Sequence, residues 1–124
     1  MTLYASPADA RYTYQMIKDD DVDETVKVDV TGGPSTLYFL DCVSSDASNV
    51  LYVKFYDATI VTPGTTRPVL AVEVATQASK RLSFPDGIPF TTAVSYSCTT
   101  AAGTGASDST GAGTNKMTIR FVVT

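Results

Sequence analysis

The middle of the chain, from residue 37 to residue 99, consists of short apolar runs separated by turn residues. The run at 51–57 is rich in aromatic and β-branched residues, which favour strands. A Pro-Gly turn follows at 63–64, and a second turn is predicted at 84–90, where two prolines flank Asp86-Gly87. Short strands between turn signals are typical of a sandwich or barrel, and no window has convincing helical periodicity. This block therefore restricts the chain to an all-β fold.

Eight segments have the composition or the alternation of strands, and we predict an antiparallel β-sandwich of seven to eight strands, jelly-roll-like or immunoglobulin-like. The clearest alternation is at 24–31, where valines at every second position are separated by polar residues. The predicted strands are residues 12–18, 24–31, 37–43, 50–58, 69–76, 80–84, 90–98 and 116–124.

The length of 124 residues predicts a single domain, 1–124, with a core large enough to fold without disulfides or bound metals. Residues 1–11 are predicted to form an N-terminal arm, because Ser6-Pro7 and Asp9 interrupt any regular pattern. Residues 99–115 are rich in Gly, Ser, Thr and Ala, which predicts an exposed loop.

The charge and the lengths of the apolar segments argue against two classes of partner. The net charge is −4 and there is no basic run, so nucleic acid is not expected as a partner. No stretch approaches the roughly 18 apolar residues of a membrane helix, so no membrane contact is expected. The first residues contain neither a basic region nor an apolar region, which predicts that the chain is used without Sec export.

Histidine is absent from the chain, and this restricts the chemistry. A Ser-His-Asp or Cys-His device needs a histidine, and two cysteines alone fall short of a zinc site. A carboxylate pair for glycoside hydrolysis remains conceivable, although no spacing selects one. We therefore predict no enzymatic activity, no cofactor and no metal. The carboxylates considered for such a pair are Asp41, Asp57, Glu73 and Asp86.

An acidic segment at residues 19–24 invites a calcium interpretation. Asp19, Asp21 and Asp23 match the first three ligand positions of an EF-hand loop. Glu24 stands where the loop needs glycine, and Val30 stands where it needs a bidentate glutamate, so the EF-hand interpretation fails. An irregular oxygen-ligand site and a solvated acidic turn both stay open, and the turn is favoured.

The two cysteines, Cys42 and Cys98, leave a disulfide and a pair of buried thiols open, with the thiols favoured. They lie in segments that can face each other across a sandwich. Tyr96-Ser97-Cys98 matches the Tyr-x-Cys pattern of immunoglobulin domains, but the chain has no tryptophan to complete that pattern. The match supports only the sandwich prediction.

Tyrosine suits interfaces because it buries a large area and keeps a polar tip. We expect Tyr38, Tyr52 and Tyr96 to pack on sheet faces, whereas tyrosines near the arm are better interface candidates. An extended arm also supplies main-chain groups for strand addition to a partner sheet. The predicted interface residues are Leu3, Tyr4, Arg11 and Tyr12.

The pattern of turn residues between the short strands of residues 37–98 resembles that of small β-rich virion proteins of tailed bacteriophages, especially those of cyanophages. The resemblance rests on the segments 37–42 and 52–57, on Pro63-Gly64-Thr65-Thr66-Arg67-Pro68, and on the turn at 84–90. Proteins of this kind are capsid decoration (cement) proteins or modules of tails and fibres. The resemblance carries over no catalytic residue.

The resemblance implies a decoration protein that binds the outer head surface and stabilises contacts between capsomers. Its expected partner is the major capsid protein, and self-association as a dimer or trimer is expected because capsid sites lie on symmetry axes. Its expected location is the capsid surface of the virion, after assembly in the host cytoplasm. The alternative is a tail or fibre module that binds a receptor or a host glycan.

Overall fold

The computed structural model describes the backbone of residues 3–7 and the whole of residues 14–102 and 116–124. These residues form strands and no helix, which confirms the all-β prediction. The strands are β1 (Leu3–Pro7), β2 (Gln15–Asp19), β3 (Ser35–Ser44), β4 (Leu51–Tyr56), β5 (Leu70–Val74), β6 (Ser79–Phe90), β7 (Ser95–Thr99) and β8 (Met117–Val123).

The strands form two antiparallel sheets, as predicted for a sandwich. A five-stranded sheet has the order β1-β2-β8-β3-β6, and a three-stranded sheet has the order β5-β4-β7. The last strand of the chain, β8, lies at the centre of the larger sheet between β2 and β3. The C-terminal segment is therefore an integral part of the fold.

The core lies between the inner faces of the two sheets. Alternate residues of each strand point into it, because successive side chains of a strand point to opposite faces. Phe55 of β4 lies at its centre, with its ring 5.4 Å from that of Phe121 and 5.6 Å from that of Tyr96. These rings join the two sheets, since Phe121 belongs to the five-stranded sheet and the other two belong to the three-stranded sheet.

The predicted strand at 24–31 is wrong. Only Lys27 forms a β-bridge, with Tyr96, and Asp29 has a φ of 51°, which interrupts an extended chain. The segment instead runs beside β7: the amide of Cys98 donates to the carbonyl of Asp23 at 2.7 Å, and that of Val30 to the carbonyl of Val94 at 3.0 Å. Residues 23–30 thus close one edge of the three-stranded sheet.

The predicted turn at 84–90 is part of β6. This strand pairs with β3 on both sides of a register shift, where Leu37 opposes Ile88 and Phe39 opposes Ser83. The intervening residues 84–87 form a bulge, in which Gly87 has a φ of 76°. The turn residues are present as the sequence indicates, but the chain returns to the same partner strand after them.

Part of the predicted N-terminal arm also belongs to the sheet. Leu3–Pro7 pairs with β2, with Tyr4 opposite Lys18 and Ala5 opposite Ile17, so the prediction of an arm is wrong for these five residues. Without β1, β2 would expose a row of unpaired backbone groups. Residues 1–2 and 8–11 of the arm, and residues 103–115 of the predicted loop, lie outside the described residues.

Neither cysteine forms a disulfide. Cys42 of β3 and Cys98 of β7 are both fully buried in the core. Burial raises the pKa of each thiol to about 12. The pair therefore behaves as two small apolar core residues, in agreement with the favoured interpretation.

Candidate functional site

A row of charged residues crosses the five-stranded sheet. Lys18 of β2 is opposite Arg120 of β8, which is opposite Asp41 of β3. Asp41 is in turn opposite Arg81 of β6. Residues in direct register share one face of a sheet. The adjacent residues Ile17, Leu40 and Phe121 are buried in the core, so this charged row (Lys18, Arg120, Asp41 and Arg81) lies on the outer face.

The electrostatics of the charged row centre on Asp41. Its carboxylate oxygens lie 3.5 Å from Nε of Arg81 and 3.8 Å from Nη1 of Arg120. The Asp41 side chain is only 8% exposed, whereas those of Arg81 and Arg120 are 77% and 47% exposed. One shielded carboxylate thus lies between two guanidinium groups that face solvent. The row holds three cations and one anion, so it is basic on a chain whose net charge is −4.

Apolar residues lie beside this row on the same face. Met16 of β2 is opposite Val122 of β8, which is opposite Phe39 of β3. Next to them the rings of Tyr14 and Tyr38 meet edge to face, with centroids 5.4 Å apart. Met16 is 48% exposed and Tyr14 is 41% exposed. The apolar patch consists of Tyr14, Met16, Tyr38, Phe39 and Val122.

The apolar patch and the charged row together have the composition of a binding surface. Six of its nine residues are tyrosine, phenylalanine, methionine or arginine, which are enriched at protein interfaces, whereas Lys18 and Asp41 are of types that are depleted there. The surface lies on the sheet β2-β8-β3-β6, in which neighbouring strands are hydrogen-bonded except at the bulge between β3 and β6. It is therefore rigid and broad. It suits docking to another macromolecule rather than enclosing a small molecule.

The predicted interface residues lie along the edge of this surface or outside the described residues. Leu3 and Tyr4 belong to β1, where Tyr4 holds the register position next to Lys18, at the end of the charged row. Arg11 and Tyr12 lie outside the described residues. For all four residues the interface assignment stays a prediction.

Sequence reasoning missed the surface itself. The alternation at 12–18 places Tyr14 and Met16 on one face, and this was an available signal. The arginines gave no signal, because Arg81 and Arg120 are far apart in the sequence. They come together only because β3 pairs with β6 on one side and with β8 on the other.

A buried ion pair joins the acidic segment at 19–24 to Lys27. The ammonium group of Lys27 bonds Oδ2 of Asp19, and the Tyr96 hydroxyl donates to the same oxygen at 2.9 Å. The amide of Asp21 donates to Oδ1 of Asp19 at 3.0 Å. Asp19 and Asp21 are both buried, so the favoured prediction of a solvated turn is wrong for them.

Lys27 supplies the positive charge that pairs with the Asp19 carboxylate. Its Nζ also lies 5.7 Å from the centre of the Tyr96 ring. Burial, together with the charge and the hydrogen bond of Asp19, raises the pKa of Tyr96. In the described residues no three His, Cys, Asp or Glu side chains are grouped to hold a metal ion. The hydrogen-bonded group of Asp19, Lys27 and Tyr96 therefore anchors residues 19–27 to β7.

The four carboxylates considered for a catalytic pair lie on different parts of the sandwich. Asp41 is on the outer face of the five-stranded sheet, and Glu73 is exposed on β5 opposite Tyr52, on the outer face of the other sheet. Asp86 lies in the bulge of β6. The fourth, Asp57, accepts bonds from the amides of residues 91–93. The structure brings Asp41 and Glu73 to opposite sides of the molecule, so these two cannot form a pair.

Residues 14–102 and 116–124 enclose no pocket. Among these residues there is also no helix of the length and apolarity needed to cross a bilayer. Comparisons of the chain with protein-family models, with curated proteins and with solved structures found no match.

Proposed function

We propose that this protein is a bacteriophage capsid decoration protein that binds the outer head surface and stabilises contacts between capsomers. Its contact surface is the outer face of the five-stranded sheet. The observation that carries the proposal is the apolar patch beside the charged row on one rigid face. The resemblance of residues 37–98 to small virion proteins of tailed phages supplies the identity of the partner.

The geometry of the surface supports a cement role because clamping a shell needs contact area and rigidity, not bond chemistry. A standard protein interface buries about 1,600 Å² in total. The exposed side chains of Met16 and Tyr14 supply apolar area, which contributes about 25 cal/mol for each Å² removed from water. The patch therefore provides the apolar centre of the contact.

The charged row defines the chemistry of the partner surface. Arg81 and Arg120 attract carboxylates, and arginine binds them through two parallel hydrogen bonds. We expect the major capsid protein to present acidic side chains beside an apolar depression. Because a head carries many equivalent sites, self-associated decoration proteins gain avidity from binding several at once. This fits the expected dimer or trimer.

The test uses purified phage heads, separated from tails, and the full-length protein. We expect the protein in stoichiometric amounts in the head fraction, and we expect purified protein to co-sediment with heads that lack it. Its absence from virions would contradict the proposal. Its presence only in tails, together with binding on a glycan array, would support the tail or fibre alternative instead.

Two variants test the surface. Arg81→Glu reverses one cation of the charged row. It should weaken head binding at least tenfold, because the new glutamate would face the acidic side chains expected on the capsid protein. Lys80→Glu is the matched control, because it makes the same charge change at the residue just before Arg81 in β6. The Lys80 side chain points away from the charged row, since successive side chains of a strand point to opposite faces. Equal losses in both variants would refute this face as the contact surface.

A further inference from the structure

Two of the four sheet edges, those of β7 and β6, carry features in the described part of the chain that prevent further pairing. The β7 edge is covered by residues 23–30. The β6 edge carries Pro85 and Pro89, the bulge, and the adjacent cations Lys80 and Arg81. Prolines, bulges and lysines are the usual means by which proteins protect an edge.

Among the described residues, the β5 edge has no proline, no bulge and no covering segment, and Glu73 is the one charged side chain of this strand. β5 pairs with β4 on one side, and no other described segment makes a backbone bond to its second side. Its sequence, Leu-Ala-Val-Glu-Val, contains no proline, glycine or lysine. Val69, just before it, is 49% exposed, and Ala71 and Glu73 are exposed on the outer face. An open, apolar edge of this kind is a template for another strand.

We propose that β5 pairs antiparallel with β5 of a second copy of this chain, about a two-fold axis that passes through Val72. The two three-stranded sheets then form one continuous six-stranded sheet. A two-fold interface uses the same surface on both subunits, so the edge must be complementary to itself. The sequence of β5 meets this condition at one register.

The pleat restricts which registers are allowed. Opposed residues must share a face of the joined sheet, so the axis must pass through a residue and not between two residues. With the axis at Val72, every residue of β5 is paired: Leu70 with Val74, and Ala71 with Glu73. Val69 and Ala75, the exposed residues that flank β5, then hold opposed register positions.

The neighbouring registers are worse. An axis at Glu73 places the two glutamates directly opposite each other, and like charges in that position are destabilising. An axis at Ala71 leaves Glu73 and Val74 of each copy beyond the paired strands. The register at Val72 therefore has the longest pairing and no direct contact between like charges.

This dimer does not depend on the proposed capsid function. The β5 edge belongs to the three-stranded sheet, whereas the apolar patch and the charged row lie on the outer face of the five-stranded sheet. The apolar patch and the charged row of each subunit remain exposed in the dimer. The dimer is thus expected whatever surface those patches bind.

The test is sedimentation velocity of the full chain over a concentration series, with far-UV circular dichroism to verify the fold. Ala71→Glu places two new Glu–Glu pairs across the axis and should weaken dimerisation by roughly 2- to 30-fold. Ala71→Lys places two Lys–Glu pairs there and should strengthen it. The double variant Ala71→Glu with Glu73→Lys should restore it, because each new glutamate faces a new lysine.

Ser83→Glu is the control, since it adds the same charge at an exposed position of β6. A monomeric wild-type protein at about 100 μM would overturn the proposal. Equal weakening by Ala71→Glu and Ser83→Glu would also overturn it, as would the same response to glutamate and lysine at position 71. Opposite responses to these two charges support the stated register. If Ala71→Glu folds poorly, Ala71→Lys alone still tests the register, because weaker dimerisation in that variant would overturn it.

Discussion

At the scale of single residues, the buried ion pair of Asp19 and Lys27 decides how the segment after β2 is held. Three donors converge on the Asp19 carboxylate, from Lys27, Tyr96 and the amide of Asp21. Removing one member of a buried pair leaves an uncompensated charge, which costs more than the pair itself contributes.

We expect Lys27→Met to lower the free energy of unfolding by about 3–5 kcal/mol. Tyr96→Phe should cost about 1–3 kcal/mol, because it removes one hydrogen bond to Asp19 and keeps the ring in the core. Urea unfolding at pH 7 measures both, with the exposed Lys80→Met as a control expected within about 0.5 kcal/mol of wild type. A loss for Lys27→Met as small as that of the control would contradict the structural role of the pair.

The two core cysteines lead to a second prediction at this scale. Because burial raises the pKa of each thiol to about 12, the nucleophilic thiolate is scarce in the folded protein at pH 8. We expect Cys42 and Cys98 to react with iodoacetamide only at the rate of unfolding, and both to react rapidly in denaturant. Mass spectrometry counts the added groups. Rapid labelling of the native protein would show that the core opens locally.

At the scale of elements, the bulge of β6 depends on Gly87. Its φ of 76° favours glycine, and a Cβ there would lie 2.3 Å from Cγ2 of Thr36 and 3.0 Å from the Tyr38 ring. Gly87→Ala thus adds both backbone strain and a steric clash, and we expect it to cost about 2–4 kcal/mol.

Gly32 is a matched control for this variant. It has a similar φ of 71°, but nothing lies within 4 Å of its Cβ position. Gly32→Ala should cost only about 1 kcal/mol, from backbone strain alone. The difference between the two melting temperatures measures the close approach of β6 to β3. Equal melting temperatures would contradict the packing of the bulge.

Asp57, just after β4, accepts hydrogen bonds from residues 91–93, just before β7, and this contact predicts a pH dependence. Desolvation raises the pKa of this carboxyl, but bonds from the amides of Thr92, Thr91 and Ala93 outweigh it and lower the pKa below 3.8. A group whose pKa is lower in the folded state stabilises the fold above its unfolded pKa. That contribution is lost as pH falls through the folded value.

We therefore expect urea stability to fall below about pH 4, and Asp57→Asn to remove part of that fall while lowering stability at pH 7. The measurement is the urea midpoint between pH 2 and pH 7. Asp86→Asn, which changes an exposed carboxylate in the bulge of β6, is the control. If both variants keep the full acid dependence of the wild type, the bonds to Asp57 do not contribute as described.

At the scale of the whole molecule, the two proposed contacts use different sheets and should separate by mutation. Arg81→Glu should lose head binding and keep the dimer, whereas Ala71→Glu should lose the dimer and keep head binding with a lower apparent affinity. The lower affinity follows from lost avidity. Sedimentation and co-sedimentation of the same two variants measure both effects, and loss of both contacts in either variant would indicate a folding defect instead.

The strands that form the core were predictable from the sequence because their alternation coincides with burial on one side. In β8 the alternating residues Met117, Ile119 and Phe121 are all fully buried, as the pattern indicates. Residues 24–31 show equally clear alternation but form no strand. The left-handed conformation at Asp29 interrupts the extended chain, and Val28 is 45% exposed.

The candidate site was less predictable than the fold. Tyr14 and Met16 share a face by simple alternation, but the meeting of Asp41 with Arg81 and Arg120 depends on strand order and register. Neither is encoded in local patterns, because a strand of given composition can pair with any compatible edge.

The sequence by itself determined that this protein is an all-β sandwich, since period-two alternation and turn residues are local properties of the chain. It also determined the absence of histidine chemistry. Only the tertiary structure decided which strands are neighbours, that Leu3–Pro7 joins a sheet, and that no described segment pairs with the second side of β5. These outcomes depend on how distant segments compete for the same backbone partners, and that competition is resolved only when the whole chain packs.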